Sequence, residues 1–277
     1  MEYNIWSCLF FGLISGLSEF LPVSTLAHQY LYSYLFGFSG NTPFMRLMAY
    51  LGCLVAVVVC CWKRLTHIYR ELRLDSLPKR RRKRVPDKQA VFDFKLAVTG
   101  MIPMILGVLC YDASVGFFNG LPLLCLMLVI SGAVVYLPLY MISGFRNSQN
   151  LTRLDGLLFG AVSALAVIPG LSRMGMLLYA GRFRRCSRES MMDLALLFAI
   201  PMLLCLTVYH LILVLIGSAV ISALALLAGA ICALAAFGGG VAAIYFMRFL
   251  SVKLDFGGFS FYCWGLAVFS FIYYLIT

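Results

Sequence analysis

Residues 18–28 read SEFLPVSTLAH and interrupt an apolar segment with a carboxylate, hydroxyls and an imidazole. A second interruption at residues 169–175, PGLSRMG, carries a serine and an arginine. A Glu or Arg held at membrane depth costs about 2.5 kcal/mol or more, so such a residue usually has a function and a partner. The opposite charges of Glu19 and Arg173, each with hydroxyls beside it, therefore predict a pocket for an anion inside a membrane protein.

The composition of the chain also indicates a membrane protein. Hydrophobic residues make up 62% of the 277 positions and charged residues 12%, against about 25% charged in soluble domains. A soluble protein with a large helical core is the disfavoured alternative. The first 30 residues do not resemble a cleavable signal peptide, because their start lacks a basic region and the apolar run continues into Glu19. The ten cysteines lie mostly in apolar runs without metal-ligand spacing, which is typical of packing residues.

A basic segment, residues 63–95, orients the chain. It holds twelve Lys or Arg residues and four acids. Nucleic-acid binding is the alternative, but the segment lies between two apolar spans, so the positive-inside bias favours a cytoplasmic loop near anionic lipid headgroups. Smaller basic clusters that begin at Arg146, Arg182 and Arg248 are placed on the same side. The resulting spans, each near the required ~20 residues, are 43–62, 91–111, 122–142, 190–216, 220–246 and 257–276, with a short outer loop at 112–121.

Two apolar segments, residues 4–37 and 155–180, are left over, and they carry the polar motifs. The positions of the basic clusters place both ends of each segment on the same side of the membrane. We therefore predict two re-entrant hairpins that enter from opposite faces, with helix breaks at Pro22 and at Pro169-Gly170. The predicted fold class is an all-α polytopic membrane protein with six spans and two re-entrant hairpins. Residues 1–277 form a single membrane domain, an inverted repeat in which residues 1–150 and 151–277 each hold a hairpin and three spans.

The residue types in the two motifs suit a phosphate ligand. Helix ends at the breaks expose backbone N–H groups, and Arg173 offers a forked cation for phosphate oxygens. Hydroxyl donors accompany them at Ser24, Thr25 and Ser172. Glu19 repels a diphosphate unless a divalent cation bridges the two, so Glu19 is the predicted ligand of Mg²⁺ or Ca²⁺. His28 is a candidate general acid or base, since an imidazole titrates near neutral pH.

The motifs also resemble those of a known family. Residues 16–28, GLSEFLPVSTLAH, look like the signature GLTEFLPVSSTGH of undecaprenyl-diphosphate phosphatases of the bacitracin-resistance type. Residues 169–175 are similar to the PGxSRSG motif of that family. Weaker likeness extends through residues 101–107 and 198–201, so the resemblance spans most of the chain. It implies six spans with two opposed re-entrant hairpins, which is the topology that the charge pattern predicts.

The resemblance implies a multi-pass hydrolase of the bacterial cell membrane. The family removes the terminal phosphate of undecaprenyl diphosphate at the outer side and so recycles the lipid carrier of cell-wall peptidoglycan synthesis. It implies a nucleophile at Thr25, the motif histidine at His28, one acid of a pair at Glu19, and phosphate binding by Gly170, Ser172 and Arg173. The chain departs from the motifs where Ser15 replaces the other acid and where Met174 and Leu177 replace hydroxyl residues.

Two functions fit these residues. The first is a phosphatase in which Thr25 or an activated water attacks the diphosphate and Arg173 stabilises the developing charge. The second is a relative that binds or translocates isoprenoid phosphate lipids without hydrolysis, which the lost acid favours. The predicted partners are the isoprenoid diphosphate lipid and the bilayer, without nucleic acid, and a homodimer is left open. Glu19 and Arg173 could instead be a structural ion pair, and we interpret His210 as a packing residue.

Overall fold

The structure, a computed structural model, consists of helices and the turns between them in the parts of the chain that it describes. These parts are residues 4–82, 84–118, 120–141, 151–217, 222–253 and 256–276. The α-helices in these ranges are α1 Ile5–Phe20, α2 Thr25–Phe36, α3 Pro43–Cys60, α4 Trp62–Ser76, α5 Lys88–Leu109, α6 Tyr111–Phe117, α7 Leu121–Tyr136, α8 Arg153–Ala164, α9 Arg173–Phe183, α10 Arg188–Ile216, α11 Ala223–Lys253 and α12 Gly258–Ile276. Short 3₁₀ turns lie at Lys79–Arg81, Leu137–Tyr140 and Leu165–Val167.

Six helices are long and apolar enough to cross a membrane, namely α3, α5, α7 with its following 3₁₀ turn, α10, α11 and α12. They match the six predicted spans to within one helical turn, except that α11 continues two turns beyond its predicted end. Large apolar side chains on their outward faces are exposed, such as Leu215 at 75% and Leu234 at 70%, as expected where lipid is the solvent. The predicted all-α polytopic class is confirmed. Lys83 and Arg146 lie outside the described residues, as does the side chain of Lys253.

Both motif segments form two short helices joined by a break. α1 ends at Phe20 and α2 begins at Thr25, with Pro22 between them. α8 ends at Ala164, and Pro169-Gly170 precede the start of α9 at Arg173. α1 is too short to count as a candidate span. The breaks therefore lie where the prolines predicted them, while the entry and exit of each segment by one face of the bilayer stays a prediction.

The two halves of the chain are packed into each other. α1 lies along α11 of the second half, and α8 lies along α5 of the first half. Between these pairs, α3 faces α10 and α7 faces α12. The main buried core accordingly draws on both halves, from Phe11 and Tyr50 to Phe159 and Phe198. Each motif segment is thus held by spans of the opposite half, which brings the two breaks together.

Glycines allow the closest of these helix contacts. A Cβ added to Gly16 of α1 would lie 2.2 Å from the carbonyl oxygen of Ala236 in α11. In the other pair, a Cβ on Gly160 of α8 would lie 2.2 Å from the carbonyl oxygen of Gly100 in α5. Small residues let membrane helices approach until their backbones touch. The motif segments therefore pack backbone to backbone against the spans that support them.

Replacing Gly16 by alanine should destabilise the protein by about 1–3 kcal/mol, because the added methyl group has to push α1 away from α11. The matched control is Gly238→Ala in α11, where nothing lies within 4 Å of the added Cβ. Unfolding of the detergent-solubilised variants measures the difference. A Gly16→Ala protein as stable as the Gly238→Ala protein would contradict the close packing of α1 on α11.

The basic segment, predicted as a loop between two spans, contains helix α4 and the first turns of α5. α4 occupies Trp62–Ser76, and α5 begins at Lys88. Buried Glu71 organises the turn between them, since it accepts hydrogen bonds from Nη1 of Arg84 at 3.0 Å and from the backbone N–H of Asp87 at 2.8 Å. The carboxylate of Asp87 in turn caps the start of α5. The few acids of the segment thus fold it, while its place on the cytoplasmic side stays a prediction. The predicted outer loop likewise begins as helix α6.

Candidate active site

The breaks of the two motif segments are hydrogen-bonded to each other. The backbone N–H of Gly170 donates to Oγ of Ser24 at 3.0 Å. The same oxygen caps α2 by accepting from the backbone N–H of Ala27 at 3.3 Å. Gly170 has φ +103°, and a Cβ there would lie 2.4 Å from Cβ of Met127. Only glycine fits this turn, so Gly170 shapes the break and delivers its N–H to Ser24.

Ser172 repeats the capping role of Ser24 at the other break. Its Oγ accepts from the backbone N–H of Gly175 at 3.0 Å and caps α9. Its backbone N–H donates to Oγ of Ser131 in α7 at 3.1 Å. A serine at the N-cap accepts a hydrogen bond from one of the free N–H groups of the first helical turn. Both predicted phosphate-binding serines therefore start a helix at the meeting point of the two segments.

The structure brings Glu19, Thr25 and Arg173 together. Oε1 of Glu19 forms an ion pair with Nη2 of Arg173. Oγ1 of Thr25 donates a hydrogen bond to Oε2 of Glu19 at 2.8 Å. Glu19 is 3% exposed and Arg173 is 8% exposed, so the pair is withdrawn from solvent. The opposite charges in the sequence thus have each other as partners, across the interface of the two motif segments.

Both charges occupy the helix end that disfavours them. Glu19 lies in the last turn of α1, where the helix dipole repels an anion, and Arg173 is the first residue of α9, where it repels a cation. In addition, Nη1 of Arg173 is buried and has no hydrogen-bond partner among the described residues. An unpaired buried donor costs about 1–3 kcal/mol, more when charged. An anion with several oxygens at the start of α9 would accept a hydrogen bond from Nη1 of Arg173. It would also offset the repulsion between Arg173 and the positive end of the α9 dipole.

A narrow cavity lies beside the ion pair. Its lining residues are Glu19, Thr25, Leu26, Tyr50, Tyr111, Ala166, Val167, Leu171, Arg173, Met202 and Leu206. Its volume is about 20 Å³, which is room for about one water molecule. A phosphate group does not fit beside the closed pair. Arg173 and Glu19 therefore have to separate before a phosphate can occupy the site.

His28 lies away from this cavity. Its Nδ1 donates to the backbone oxygen of Ser24 at 2.6 Å, which leaves Nε2 as the acceptor of the Tyr262 hydroxyl at 2.7 Å. The two rings stack with centroids 5.7 Å apart. The structure therefore does not bring the predicted acid–base residue to the Glu19–Arg173 pair.

An apolar groove of about 560 Å³ surrounds the His28–Tyr262 contact. Its lining residues are Ile14, Leu17, Ser18, Leu21, Val23, His28, Phe246, Leu250, Gly258, Phe259 and Tyr262. The groove and the cavity lie on opposite sides of α1, since Ile14 and Leu17 line the groove while Glu19 lines the cavity. The two sites are separated by one helix.

Sequence reasoning missed the tyrosines of the cavity wall. Tyr50 and Tyr111 lie within or at the end of apolar helices, and a hydroxyl on an apolar span is the one signal that could have marked them. His210 packs among them, with ring centroids 5.2 Å from Tyr50 and 5.1 Å from Tyr111, and its Nδ1 donates to the backbone oxygen of Leu206 at 2.9 Å. His210 is thus a satisfied packing residue, as the sequence predicts.

The site does not fit a metal ion held by protein groups alone. Glu19 is the one carboxylate that lines the cavity, and both of its oxygens are engaged by Arg173 and Thr25. Within the described parts of the chain, no group of three or more His, Cys, Asp or Glu side chains could hold an ion. Mg²⁺ and Ca²⁺ need about six oxygen ligands. Most of those ligands would have to come from the substrate and water.

Comparison with known proteins identifies relatives along most of the chain. A family model described as "Bacitracin resistance protein BacA" matches residues 8–269. A protein of Methanosphaera stadtmanae named undecaprenyl-diphosphatase is 30% identical over 207 residues, which cover 72% of this chain and 74% of the relative. A protein of Thermosipho africanus with the same name is 25% identical over 260 residues, 94% of this chain and 96% of the relative. Undecaprenyl-diphosphatase 3 of Bacillus cereus is 27% identical over 266 residues, 93% and 92% of the two chains.

Proposed function

The chain belongs to the bacitracin resistance protein BacA family, and we propose that it is a membrane phosphatase that hydrolyses undecaprenyl diphosphate to the monophosphate. The product is the lipid carrier that cell-wall synthesis reuses, so the enzyme acts in carrier recycling. Relatives that match more than nine tenths of the chain carry the name undecaprenyl-diphosphatase. The six apolar helices make it a multi-pass protein of the plasma membrane.

The hydrogen bond from Thr25 to Glu19 carries the chemical proposal. A hydroxyl nucleophile needs a base within hydrogen-bond reach and a third group that orients the base. Thr25, Glu19 and Arg173 stand in that order, with Oγ1 of Thr25 2.8 Å from Oε2 of Glu19. When Arg173 turns from Glu19 to the phosphate oxygens, Glu19 becomes free to accept a proton.

The reaction then follows from these three groups. Oγ1 of Thr25 attacks the terminal phosphorus, its proton passes to Glu19, and the bond to the bridging oxygen breaks. Glu19 passes this proton to the oxygen of the departing isoprenoid monophosphate, and the regenerated carboxylate then takes a proton from a water that attacks the phosphorus and releases the phosphate from Thr25. Arg173 and the N–H groups at the starts of α2 and α9 stabilise the negative charge that develops on the phosphoryl oxygens. A divalent cation, if required, would enter with the diphosphate and take Glu19 as its protein carboxylate.

The acid–base role of His28 stays a prediction. His28 follows Thr25 by three residues on α2, but its ring is turned to Tyr262. The role would require the ring to leave Tyr262 and rotate toward the cavity. The hydrogen bonds at both ring nitrogens oppose that movement.

The apolar groove supports a lipid substrate. Its wall is built almost entirely of aliphatic and aromatic side chains, and its volume of about 560 Å³ accommodates several isoprene units. Apolar pockets of this size are typical of sites that bury most of a ligand's surface. We assign the groove to part of the isoprenoid chain, which would have to pass round the end of α1 at Phe20, because the groove and the cavity lie on opposite sides of that helix.

The inverted repeat is also part of the proposal. Two observations support it: the exchange of contacts between halves, in which α1 lies on α11 and α8 on α5, and the serine caps at both breaks. Opposed re-entrant segments would place both breaks at the same depth in the bilayer. The site would then be reached from the side opposite the basic segment.

Labelling of single cysteines tests this orientation. In a cysteine-free background, Gly116→Cys in α6 should react with an impermeant thiol reagent added outside, and Ser76→Cys at the end of α4 should not. Gly116 suits the labelling because it is exposed with open space around it. The nearby Ser114 is less suitable because its hydroxyl donates a hydrogen bond to the backbone oxygen of Val167. Labelling of position 76 from outside would reverse the orientation.

Steady-state phosphate release by the purified protein tests the activity. We expect orthophosphate from a long-chain isoprenoid diphosphate and little from inorganic pyrophosphate, because only the lipid fills the groove. Parallel assays with Mg²⁺, with Ca²⁺ and with a chelator define the role of a cation. Tight binding of the lipid diphosphate without phosphate release under all three conditions would support a carrier and contradict the phosphatase.

A further inference from the structure

Arg46, near the start of α3, has neutral hydrogen-bond partners. Its Nη1 donates to the hydroxyl oxygen of Tyr111 at 3.1 Å, and its Nε donates to Oδ1 of Asn41 at 2.7 Å. No carboxylate pairs with it among the described residues. A half-buried arginine in the first turn of an apolar span is costly, so its contact with Tyr111 calls for a functional reason.

The contact with Arg46 decides what the hydroxyl of Tyr111 can do. Its oxygen is already an acceptor, so its proton has to point elsewhere. The hydroxyl of Tyr50 lies beside it, and the pair lines the cavity next to Arg173. None of the described residues accepts a proton from this pair other than the two hydroxyls themselves. At least one tyrosine proton is therefore left for a group inside the cavity, and this proton belongs to Tyr111 when Tyr50 donates to the Tyr111 oxygen.

The ring of Tyr111 is held firmly in place. Tyr111 is 1% exposed, and its ring packs against Tyr209 and His210 with centroids 5.5 and 5.1 Å away. A donor that is fixed before the substrate arrives costs no reorganisation when charge develops. Tyr111 and Arg173 belong to opposite halves of the chain and face the same cavity.

We propose that Tyr111, held by Arg46, donates a hydrogen bond to the phosphoryl group bound at Arg173. Tyr111 contacts the substrate, and Arg46 is a positioning residue that acts through it. A phosphoryl group in transfer spreads its charge over three oxygens. Arg173 can bind two of them in its fork, and Tyr111 reaches the cavity from another side. The proposal rests on the phosphatase function argued above.

A double-mutant cycle tests the proposal. Tyr111→Phe removes only the hydroxyl and should lower kcat about tenfold to a hundredfold, with a smaller change in KM, because the bond is strongest in the transition state. Arg46→Gln should cause a similar loss, and the double variant should be no slower than Tyr111→Phe alone. Arg46→Lys should recover most of the activity, since an ammonium can also donate to the tyrosine oxygen. Arg73→Gln, an exposed position on α4, is the charge-matched control.

Two results would overturn the proposal. An unchanged kcat for Tyr111→Phe would show that the hydroxyl does not contact the reacting group. Losses that multiply in the double variant would show that Arg46 does not act through Tyr111. Thermal unfolding of each variant separates these effects from misfolding. If the wild-type protein releases no phosphate, binding of an isoprenoid monophosphate replaces kcat as the readout, and equal affinity of wild type and Tyr111→Phe would then overturn the proposal independently.

Discussion

Arg173→Lys should lower kcat/KM for undecaprenyl diphosphate by about 10²–10³-fold, the loss typical of one preorganised charge-stabilising donor. Lysine keeps the positive charge and the pair with Glu19, but it loses the planar fork and the second nitrogen, which is Nη1 in Arg173. The variant should therefore fold and still turn over poorly. Steady-state phosphate release and lipid monophosphate binding measure both effects.

The control for Arg173→Lys is Arg64→Lys in α4, within the basic segment. Arg64 pairs with Asp93 at 2.8 Å and is not among the residues that line the cavity. Arg64→Lys also replaces the guanidinium of an ion pair by an ammonium. It therefore tests whether such a replacement outside the cavity reduces activity. Equal activity of wild type and Arg173→Lys would leave Arg173 as a structural ion-pair residue.

Glu19→Gln should destabilise the protein by about 3–5 kcal/mol, the usual cost of removing one partner of a buried ion pair. The variant leaves the guanidinium of Arg173 buried without a counter-charge, and Thr25 loses its proton acceptor. We therefore expect loss of both stability and phosphate release. Unfolding of the variant in detergent measures the stability.

Ligand binding to Glu19→Gln shows whether Arg173 binds phosphate or only forms a structural ion pair with Glu19. An isoprenoid monophosphate should raise the unfolding temperature of Glu19→Gln more than that of wild type, because the phosphate then supplies the missing counter-charge of Arg173. The double variant Glu19→Gln/Arg173→Gln should be more stable than Glu19→Gln and should lose the response to the ligand. A lipid phosphate that stabilises all three proteins equally would contradict binding at Arg173.

The fold could be predicted from the sequence because the bilayer imposes strong rules on composition. The lengths of the apolar segments predicted six spans. Pro22 and Pro169-Gly170 predicted the breaks of the two remaining segments. The turn between α4 and α5 in the basic segment could not be predicted in this way. It depends on Glu71 meeting Arg84 and Asp87, and such contacts across a turn leave no periodic pattern in the sequence.

The candidate site was predicted in part. The high cost of burying a charge predicted that Glu19 and Arg173 have partners nearby, and they pair with each other. The motif serines Ser24 and Ser172 cap the two helices that meet there. The position of His28 could not be derived, because it depends on the hydrogen bond of its ring to Tyr262 of α12, a contact across 234 residues of sequence. Tyr111 and Arg46 were missed because their meeting joins α3 and α6 in space.

Single-turnover hydrolysis tests the central claim that the Glu19–Thr25–Arg173 site is a phosphatase. Purified protein in excess over undecaprenyl diphosphate is mixed and quenched, and the lipid and phosphate products are separated. We predict one orthophosphate and one undecaprenyl monophosphate for each lipid diphosphate with wild type, and intact lipid diphosphate with Glu19→Gln. Lipid diphosphate that stays bound and intact in the wild-type protein, with or without a divalent cation, would contradict the account.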